Sequence, residues 1–445
     1  TSTRKFENSN RSKTTLLYHR YNDFFHFPFF LIFFICAYRI AFGSDMSIAK
    51  PIAPLIKHEF NLNCFEKDFV ISIWFVGALV GGLTGDFIGF LIDSFGRRWT
   101  MILTLVFLTF GALLSALANH YILLLVARMI CGYSGSVSAI AHCIYMAEVS
   151  ELNKRGYNII LYQLGVATGF LISVIAAAIK NIDYQWRFSI GITAVPALTA
   201  CIITIIFLQR SPPFLLYKRM ANVSKTSSKK AWYTIFETLT IMAFLLIFQQ
   251  GTGKRQVLYY APRLFALLGI CSSKCSDHYS FYTDVAEVTA LISLAIVKVF
   301  STMLSLIIVE RCGRRTALIT SATICMTTIS LLSLLATIDR GDDNLDVMNN
   351  HSVITLLVYE AAYALGLGPV PLLNLTEVFP AAVRGKCISF VSIVIWITHI
   401  IATESVSAMT SKFFTFLFPG SYLFYSFMCL VTIFYVFLFI PETKG

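Results

Sequence analysis

Residues 92–98 read IDSFGRR and residues 309–315 read VERCGRR, so one pattern occurs twice in the chain. In each copy an acid, Asp93 or Glu310, comes four positions before the first Arg of the pair. Matching motifs at a long separation indicate an internal duplication. The chain is therefore predicted to consist of two related halves.

A second motif repeats in the same order. Glu148 precedes Arg155 by seven positions, and Glu377 precedes Arg384 by the same distance. Many secondary transporters consist of two related halves that hold the solute between them, whereas a receptor or a membrane enzyme has little need of such a repeat. No HExxH, paired CxxC or nucleophile-elbow pattern stands out in the sequence. We therefore predict a carrier, not an enzyme, and no cofactor.

The composition places this carrier in a membrane. Of the 445 residues, 57% are hydrophobic and only 13% are charged, against about 25% charged residues in soluble domains. Apolar segments of about 20 residues are long enough to cross the hydrocarbon. We predict an all-α integral membrane protein with twelve transmembrane helices, near 27–50, 68–92, 99–118, 121–145, 157–179, 187–208, 232–268, 284–309, 315–338, 352–378, 385–409 and 419–440.

The predicted organisation follows from these spans. An N-terminal tail (1–26) precedes a first six-helix bundle (27–208), a short linker (209–231) leads to a second six-helix bundle (232–440), and residues 441–445 follow it. Lys and Arg cluster in alternate loops, and such loops face the cytoplasm. Both termini and the linker are therefore predicted to be cytoplasmic. This orientation in a lipid bilayer accounts for the net charge of +11, so we predict no nucleic-acid partner.

One predicted helix is interrupted by polar residues. Residues 248–262 read FQQGTGKRQVLYYAP, and hydrocarbon cannot satisfy amide side chains or a loosened backbone. The paired amides of Gln249 and Gln250 offer the donors and acceptors that match a polyol's hydroxyl groups. Tyr259 and Tyr260 add flat apolar faces with hydroxyl tips. This stretch predicts a site for a small neutral solute that is rich in hydroxyl groups.

The repeated acids and arginines suggest a gate. Carboxylate and guanidinium groups at the cytoplasmic helix ends can pair bidentately, and pairs between the halves would hold the inner side shut. The alternative is static anchoring of the basic loops. The gating interpretation covers Asp93, Arg97, Arg98, Glu148, Arg155, Glu310, Arg314, Arg315, Glu377 and Arg384.

A lysine falls near the middle of the eighth predicted span. A lone charge at that depth costs at least about 2.5 kcal/mol, so Lys298 is predicted to face a cavity and to pair with an acid such as Glu360. The alternative is a lysine that reaches toward the membrane interface. Arg255 lies closer to the outside, where it either reaches the interface or contacts the solute.

The ordered motifs from about residue 40 to the end resemble those of the sugar porter family of the major facilitator superfamily. The resemblance rests on Gly89-x3-Asp93-x2-Gly96-Arg97-Arg98, Glu148-x6-Arg155-Gly156, Gln249-Gln250, Gly368-Pro-Val-Pro371 and Pro441-Glu-Thr-Lys-Gly445. It is closest to the class III facilitative glucose transporters. It implies transport of a hexose such as glucose by alternating access, either facilitative or proton-coupled, by a functional monomer at the plasma membrane.

The resemblance also assigns individual residues. It implies solute binding by Gln163, Gln249 and Gln250, an outer aromatic pair at Tyr259 and Tyr260, and a stacking face at Trp396. Three family positions differ, because Arg255, Leu372 and Ile395 replace an amide, a tryptophan and an asparagine.

Proton coupling depends on Asp45, which is similar to the first-helix acid of proton-linked relatives. Arg128 matches the partner of that acid in the fourth helix. A buried acid beside an Arg can change its protonation as a cavity opens and closes. The alternative is a permanently ionised structural pair.

Other solutes and roles stay open at the level of the sequence. Another polyol, dehydroascorbate, or a small acid drawn by Lys298 and Arg255 would fit the same elements. A sensor that binds sugar without transporting it is the alternative from another functional class.

Overall fold

The computed structural model describes residues 28–84, 96–150, 155–179, 185–207, 229–254, 257, 283–338, 345–379, 383–409 and 422–442. Every regular element within these ranges is an α-helix, and they contain no strand. In this part of the chain, nine helical stretches are long and apolar enough to cross a membrane.

Seven helical elements are described in the first half. They are α1 (Pro28–Glu59), α2 (Cys64–Leu83), α3 (Arg97–Ala116), α4 (Tyr121–Val149), α5 (Arg155–Ala178), α6 (Gln185–Ile192) and α7 (Ala194–Phe207). The last two form a single crossing that is interrupted at Thr193. The described first half therefore contains six crossings.

The second half has the same number of described elements. They are α8 (Lys229–Gly251), α9 (Thr283–Cys312), α10 (Arg314–Ile338), α11 (Leu345–Leu365), α12 (Val370–Val378), α13 (Arg384–Met409) and α14 (Tyr422–Phe439). Residues 366–369, GLGP, separate α11 from α12 within one crossing. Gly and Pro are the weakest helix formers, which explains the break in the helix predicted over 352–378. The described helices thus group into the twelve predicted crossings, two of them broken, and nine of the twelve are long and apolar enough by themselves to span a membrane.

Several helix boundaries differ from the predicted spans. The first helix continues past residue 50 to Glu59, although it contains Pro51 and Pro54. The second lies at Cys64–Leu83 instead of 68–92, and residues 85–95 fall outside the described part. Hydropathy marks the stretch that fits within the bilayer, while backbone hydrogen bonding can continue beyond it.

The seventh crossing is also shorter than predicted among the described residues. Helix α8 starts at Lys229, inside the predicted linker, and ends at Gly251, whereas the predicted span was 232–268. Residues 208–228, 255–256 and 258–282 are not described. The proposed domain boundaries at 208, 231 and 440 remain predictions.

The halves pack internally and then against each other. In the first half α1 packs on α5, and α2 and α3 pack on α4; in the second half α10 packs on α11 and α14. The halves meet where α5 contacts α9 and where α2 contacts α13. One cluster of buried apolar side chains extends through both halves. These contacts place helices of different halves around a shared centre.

The repeated motif has the same backbone geometry in both copies. Gly96 precedes α3 with φ 86°, and Gly313 precedes α10 with φ 91°. A residue with a Cβ atom is disfavoured at such positive φ values, so each copy of the motif has glycine at this turn. The duplication read from the sequence is therefore also visible in the main chain.

Candidate functional site

A cavity of about 280 Å³ lies between the two halves. Helices α1, α2, α4 and α5 line it from the first half, and α8, α9, α11, α12 and α13 line it from the second. Most of the lining is apolar, with a limited number of amides and charged groups. Small-solute sites commonly have this composition, at volumes of about 300 Å³ and above.

The predicted amides come together in this cavity. Gln163 lines it from α5, and Gln249 and Gln250 line it from α8. Gln249 is buried and donates its side-chain N–H to the backbone carbonyl of Leu367. Gln250 is half-buried at the wall. The two neighbouring amides therefore differ, since one is already bonded to the backbone.

The carbonyl of Leu367 belongs to the break between α11 and α12. The backbone N–H of Leu367 donates to Oγ of Ser321 at 3.0 Å, and that hydroxyl donates to the carbonyl of Ala362 at 2.7 Å. Oγ of Ser305 donates to the carbonyl of Leu365 at 2.8 Å. Within a membrane, a broken helix needs such partners for its freed backbone groups. Gln249 thus stabilises the break that forms part of the cavity wall.

Trp396 provides an aromatic face on the cavity wall. Its indole Nε1–H donates to Oγ of Ser136 at 2.8 Å, which joins α13 of the second half to α4 of the first. Its ring centre lies 5.6 Å from that of Trp74, in an edge-on arrangement. The replacement residues Leu372 and Ile395 also line the cavity. They provide apolar surface where relatives were expected to place a tryptophan and an amide.

Lys298 lines the cavity, and so does Glu360, its predicted partner. The Lys298 ammonium lies 4.9 Å from the centre of the Phe170 ring. A cation over an aromatic face is partly compensated by the ring quadrupole. The depth argument therefore identified a cavity residue, and its pairing with Glu360 stays a prediction.

Sequence reasoning missed a second deeply placed cation. Arg39 lies on α1, lines the cavity and is only 2% exposed. Its guanidinium carbon lies 4.1 Å from the ring centre of Phe42 and 3.7 Å from that of Tyr162. The charge itself was the available signal, because Arg39 falls inside an apolar predicted span as Lys298 does.

Asp45 and Arg128 form a buried ion pair, as the resemblance to proton-linked relatives implied. Oδ1 of Asp45 lies 3.0 Å from Nη1 of Arg128, and each side chain is 1% exposed. Nη2 of Arg128 also donates to the backbone carbonyl of Asp45 at 3.1 Å. The second carboxylate oxygen accepts the indole N–H of Trp74 at 2.8 Å. Trp74 therefore completes the set of partners, which the sequence did not indicate.

The motif arginines lie together at one end of the bundle, here called the basic end. In the first half, Nη2 of Arg97 lies 3.0 Å from Oε1 of Glu148. In the second half, Nη2 of Arg314 lies 3.2 Å from Oε1 of Glu377 and 3.5 Å from Oε1 of Glu310. These pairs lie within each half. Pairs between the halves stay a prediction, because Asp93 and the side chain of Arg155 lie outside the described residues.

The second arginine of each motif also has an equivalent partner in both halves. Nη2 of Arg98 donates to the carbonyl of Ile205 on α7 at 2.8 Å. Nη2 of Arg315 donates to the carbonyl of Phe437 on α14 at 2.6 Å. Each arginine therefore ties the third helical crossing of its half to the last one.

The halves nevertheless touch at the basic end. A Cβ atom built on Gly156, near the start of α5, would lie 2.1 Å from Oε1 of Glu310 and 2.7 Å from Nη2 of Arg314. The acid–arginine cluster of the second half thus packs directly against the backbone of the first half.

Arg384 donates through Nε to the carbonyl of Phe379 at 3.1 Å.

Some predicted site residues cannot be placed. Asp93, Arg255, Tyr259 and Tyr260 lie outside the described residues, as does the side chain of Arg155. Their predicted roles rest on the sequence.

The fold and the cavity define a carrier of the major facilitator type, with two six-helix halves around a central cavity. The sequence model of the family described as "Sugar (and other) transporter" matches residues 31–232 and 218–445. The chain therefore belongs to the sugar (and other) transporter family.

Two characterised groups of relatives match most of the chain. The sequence is 24% identical to "Solute carrier family 2, facilitated glucose transporter member 10" of Xenopus tropicalis, over 91% of this chain and 89% of the relative. It is 26% identical to member 12 of the same family in Homo sapiens, over 91% of this chain and 81% of the relative. The resemblance to facilitative glucose transporters inferred from the motifs is confirmed.

Solved structures match the fold. The proton:xylose symporter XylE bound to 6-bromo-6-deoxy-D-glucose gives a TM-score of 0.77 at 21% identity, covering 94% of this chain and 96% of that chain. A partially occluded, inward-open conformation of XylE from E. coli gives 0.72 at 20% identity, covering 94% and 98%. The predicted major facilitator fold is confirmed.

Proposed function

We propose that this protein moves a hexose such as glucose across the membrane by alternating access. The main support for this proposal is that the amide side chains in the cavity come from both halves of the protein. Gln163 comes from the first half, and Gln249 and Gln250 come from the second. A solute held by both halves is exposed to one side or the other when the halves rock about it.

Recognition of the sugar would rest on a few polar groups in an apolar wall. The amides of Gln250 and Gln163 offer donors and acceptors to hydroxyl groups. Trp396 offers a flat face for the sugar ring. We assign Lys298, Arg255, Tyr259 and Tyr260 to the same site as further contacts. Another polyol or dehydroascorbate would use the same groups.

The named relatives support this assignment. Those with facilitated glucose transporter in their names favour a hexose, and XylE is described as a proton:xylose symporter. The distribution of basic residues favours cytoplasmic termini. We further propose a location in the plasma membrane and function as a monomer.

A proton-coupled mode is favoured over simple facilitation by the pair of Asp45 and Arg128. Water reaches a carboxylate that is 1% exposed only when the surrounding structure rearranges. Such a rearrangement is what alternating access provides. The acid–arginine clusters at the basic end would then control opening on that side, through their packing against Gly156.

Uptake of labelled glucose into proteoliposomes tests the proposal, with and without an inward proton gradient. We expect saturable uptake that is reduced about tenfold or more in Gln250→Ala, because a hydrogen-bonding group on the cavity wall is lost. Gln185→Ala is the matched control, since its amide donates to the carbonyl of Ala177 at 2.9 Å, away from the cavity.

Three outcomes are informative. Saturable uptake that is lost in Gln250→Ala and retained in Gln185→Ala supports a sugar carrier. Binding of glucose without uptake supports the sugar sensor instead. Neither binding nor uptake by folded protein rejects the hexose.

A further inference from the structure

The cavity contains a cation whose hydrogen-bonding groups are not satisfied by the protein. Nε and Nη1 of Arg39 are buried and have no hydrogen-bond partner. Among the described residues, no carboxylate pairs with Arg39. The Phe42 and Tyr162 rings on which it lies hold the guanidinium in place. They offer it no hydrogen-bond acceptor in the plane of its N–H groups.

A buried guanidinium group whose N–H groups lack acceptors raises the free energy of the folded protein. Stacking on aromatic rings compensates only part of the desolvation of a cation. A buried charge without a partner is strongly destabilising. Arg presents a planar fork of N–H donors that matches a carboxylate bidentately. An anion that enters the cavity would satisfy the groups that the protein leaves open.

The remaining charges of the cavity favour an anion as well. The described lining contains four basic side chains, Arg39, Lys50, Lys254 and Lys298, and one acid, Glu360. Glu360 is 2% exposed, and its Oε2 has no hydrogen-bond partner. Excess positive charge in a low-dielectric cleft raises the local concentration of anions. The carboxylate of Glu360 can accept hydrogen bonds from hydroxyl groups of the same solute.

We propose that the cavity takes an anionic sugar, a monosaccharide with one carboxylate, and that Arg39 binds this carboxylate. The amides of Gln163 and Gln250 and the carboxylate of Glu360 bind its hydroxyl groups. Tyr162, on which Arg39 stacks, and Gln163 both line the cavity, so the carboxylate and hydroxyl sites share one space. The proposal rests on the sugar-carrier function proposed above and specifies the class of solute.

D-glucuronate and D-glucose are suitable probes, because they differ only at carbon 6, where a carboxylate replaces a hydroxymethyl group. Uptake of each labelled sugar is measured in proteoliposomes, along with inhibition of glucose uptake by unlabelled glucuronate. We expect glucuronate to compete with glucose at lower concentration than unlabelled glucose does. We expect the ratio of glucuronate to glucose uptake to fall about tenfold or more in Arg39→Gln, since a charged hydrogen-bond partner is lost.

Two further variants separate charge from geometry. Arg39→Lys keeps the charge but not the fork, so the ratio should lie between the values for the wild type and Arg39→Gln. Lys386→Gln removes an exposed charge outside the cavity and should leave the ratio unchanged. The thermal stabilisation of the wild type by each sugar gives a measure that needs no variant to fold.

The outcomes distinguish this proposal from the one it rests on. Saturable glucose uptake with no competition and no stabilisation by glucuronate overturns the anionic sugar and leaves the sugar carrier intact. An unchanged ratio in well-folded Arg39→Gln overturns the role of Arg39. Failure of both sugars to bind or be transported rejects the sugar carrier itself.

Discussion

Asp45 and Arg128 lie 3.0 Å apart, and each is 1% exposed, although they belong to different helices of the first half. The indole N–H of Trp74 completes the bonding of the Asp45 carboxylate. A pair so well satisfied holds α1 against α4 as long as the acid is ionised. Protonation would weaken both contacts at once, which gives the pair a means to link proton binding to helix movement.

Asp45→Asn should remove any acceleration of uptake by an inward proton gradient while equilibrium exchange of sugar continues. Asparagine keeps an acceptor oxygen for Arg128 but cannot bind or release the proton. Proteoliposome uptake at several external pH values measures the effect. Asp68→Asn is the control, because Asp68 is 39% exposed beside Lys67. Persistent gradient dependence in Asp45→Asn would assign proton transfer to another group.

Glu377→Gln should alter opening at the basic end. It removes the partner of Arg314 at 3.2 Å, in the cluster that packs on Gly156. A partly buried pair contributes about 1 kcal/mol, or roughly fivefold in an equilibrium constant. We expect net uptake to change by that factor relative to exchange, and Glu148→Gln to act similarly through Arg97. Unchanged transport kinetics in these variants, when they are well expressed, would show that the pairs only anchor the helices and do not control opening.

Trp396→Phe should lower both stability and sugar affinity. It removes the hydrogen bond to Ser136, worth about 1 kcal/mol, and shrinks the aromatic face on the cavity. Ser136→Ala removes the same bond but keeps the ring, so a double-mutant cycle separates the two effects. Thermal unfolding and glucose KM are the measurements. Trp99→Phe, at a position that is 52% exposed, is the control. Additive effects of the Trp396 and Ser136 changes would contradict the bond.

Stability should depend on pH at the end opposite to the basic end. Burial opposes ionisation of Glu59, but hydrogen bonds from Arg187 and Trp186 outweigh it and lower the pKa of this carboxyl group. The folded pKa is therefore below the unfolded value of about 4.3. The contribution is present above that pH and is lost as the pH falls through the folded value.

Glu59→Gln should consequently lower the melting temperature at neutral pH and make little difference in strong acid. Arg187 lies 2.7 Å from Oε1 of Glu59 at a partly exposed site, so the effect should be below about 1 kcal/mol. Arg187→Gln should reduce the same pH dependence. An equal loss of stability in Glu59→Gln at every pH would point to packing instead of charge.

Much of the fold could be predicted because a membrane constrains it. The lengths of the apolar segments predicted the twelve crossings, and the duplicated motif predicted the two halves. The breaks at Thr193 and at residues 366–369 were not predicted, since hydropathy is continuous across them. The partners of the second break, Ser321 and Gln249, come from other helices and are visible only in three dimensions.

The site was predicted less completely. Gln163, Gln250, Lys298 and Trp396 line one cavity, as the sequence suggested they would. Arg39 was missed although its apolar surroundings gave the same signal as those of Lys298. The contacts of a side chain with neighbouring helices were harder to predict than its depth in the membrane. Counting residues along a helix gives the height of a side chain in the membrane, but it does not give the direction in which the side chain points.

Glu442 caps the start of α10, a helix that is synthesised much earlier than Glu442 itself. Its carboxylate accepts the backbone N–H groups of Arg314 at 2.8 Å and Arg315 at 3.1 Å, at the start of α10. A negative group at this position stabilises a helix N-terminus. Glu442 follows Arg314 by 128 residues. Helix α10 is therefore synthesised before the group that caps it, and three further crossings, α11 with α12, α13 and α14, are made before the ribosome supplies Glu442.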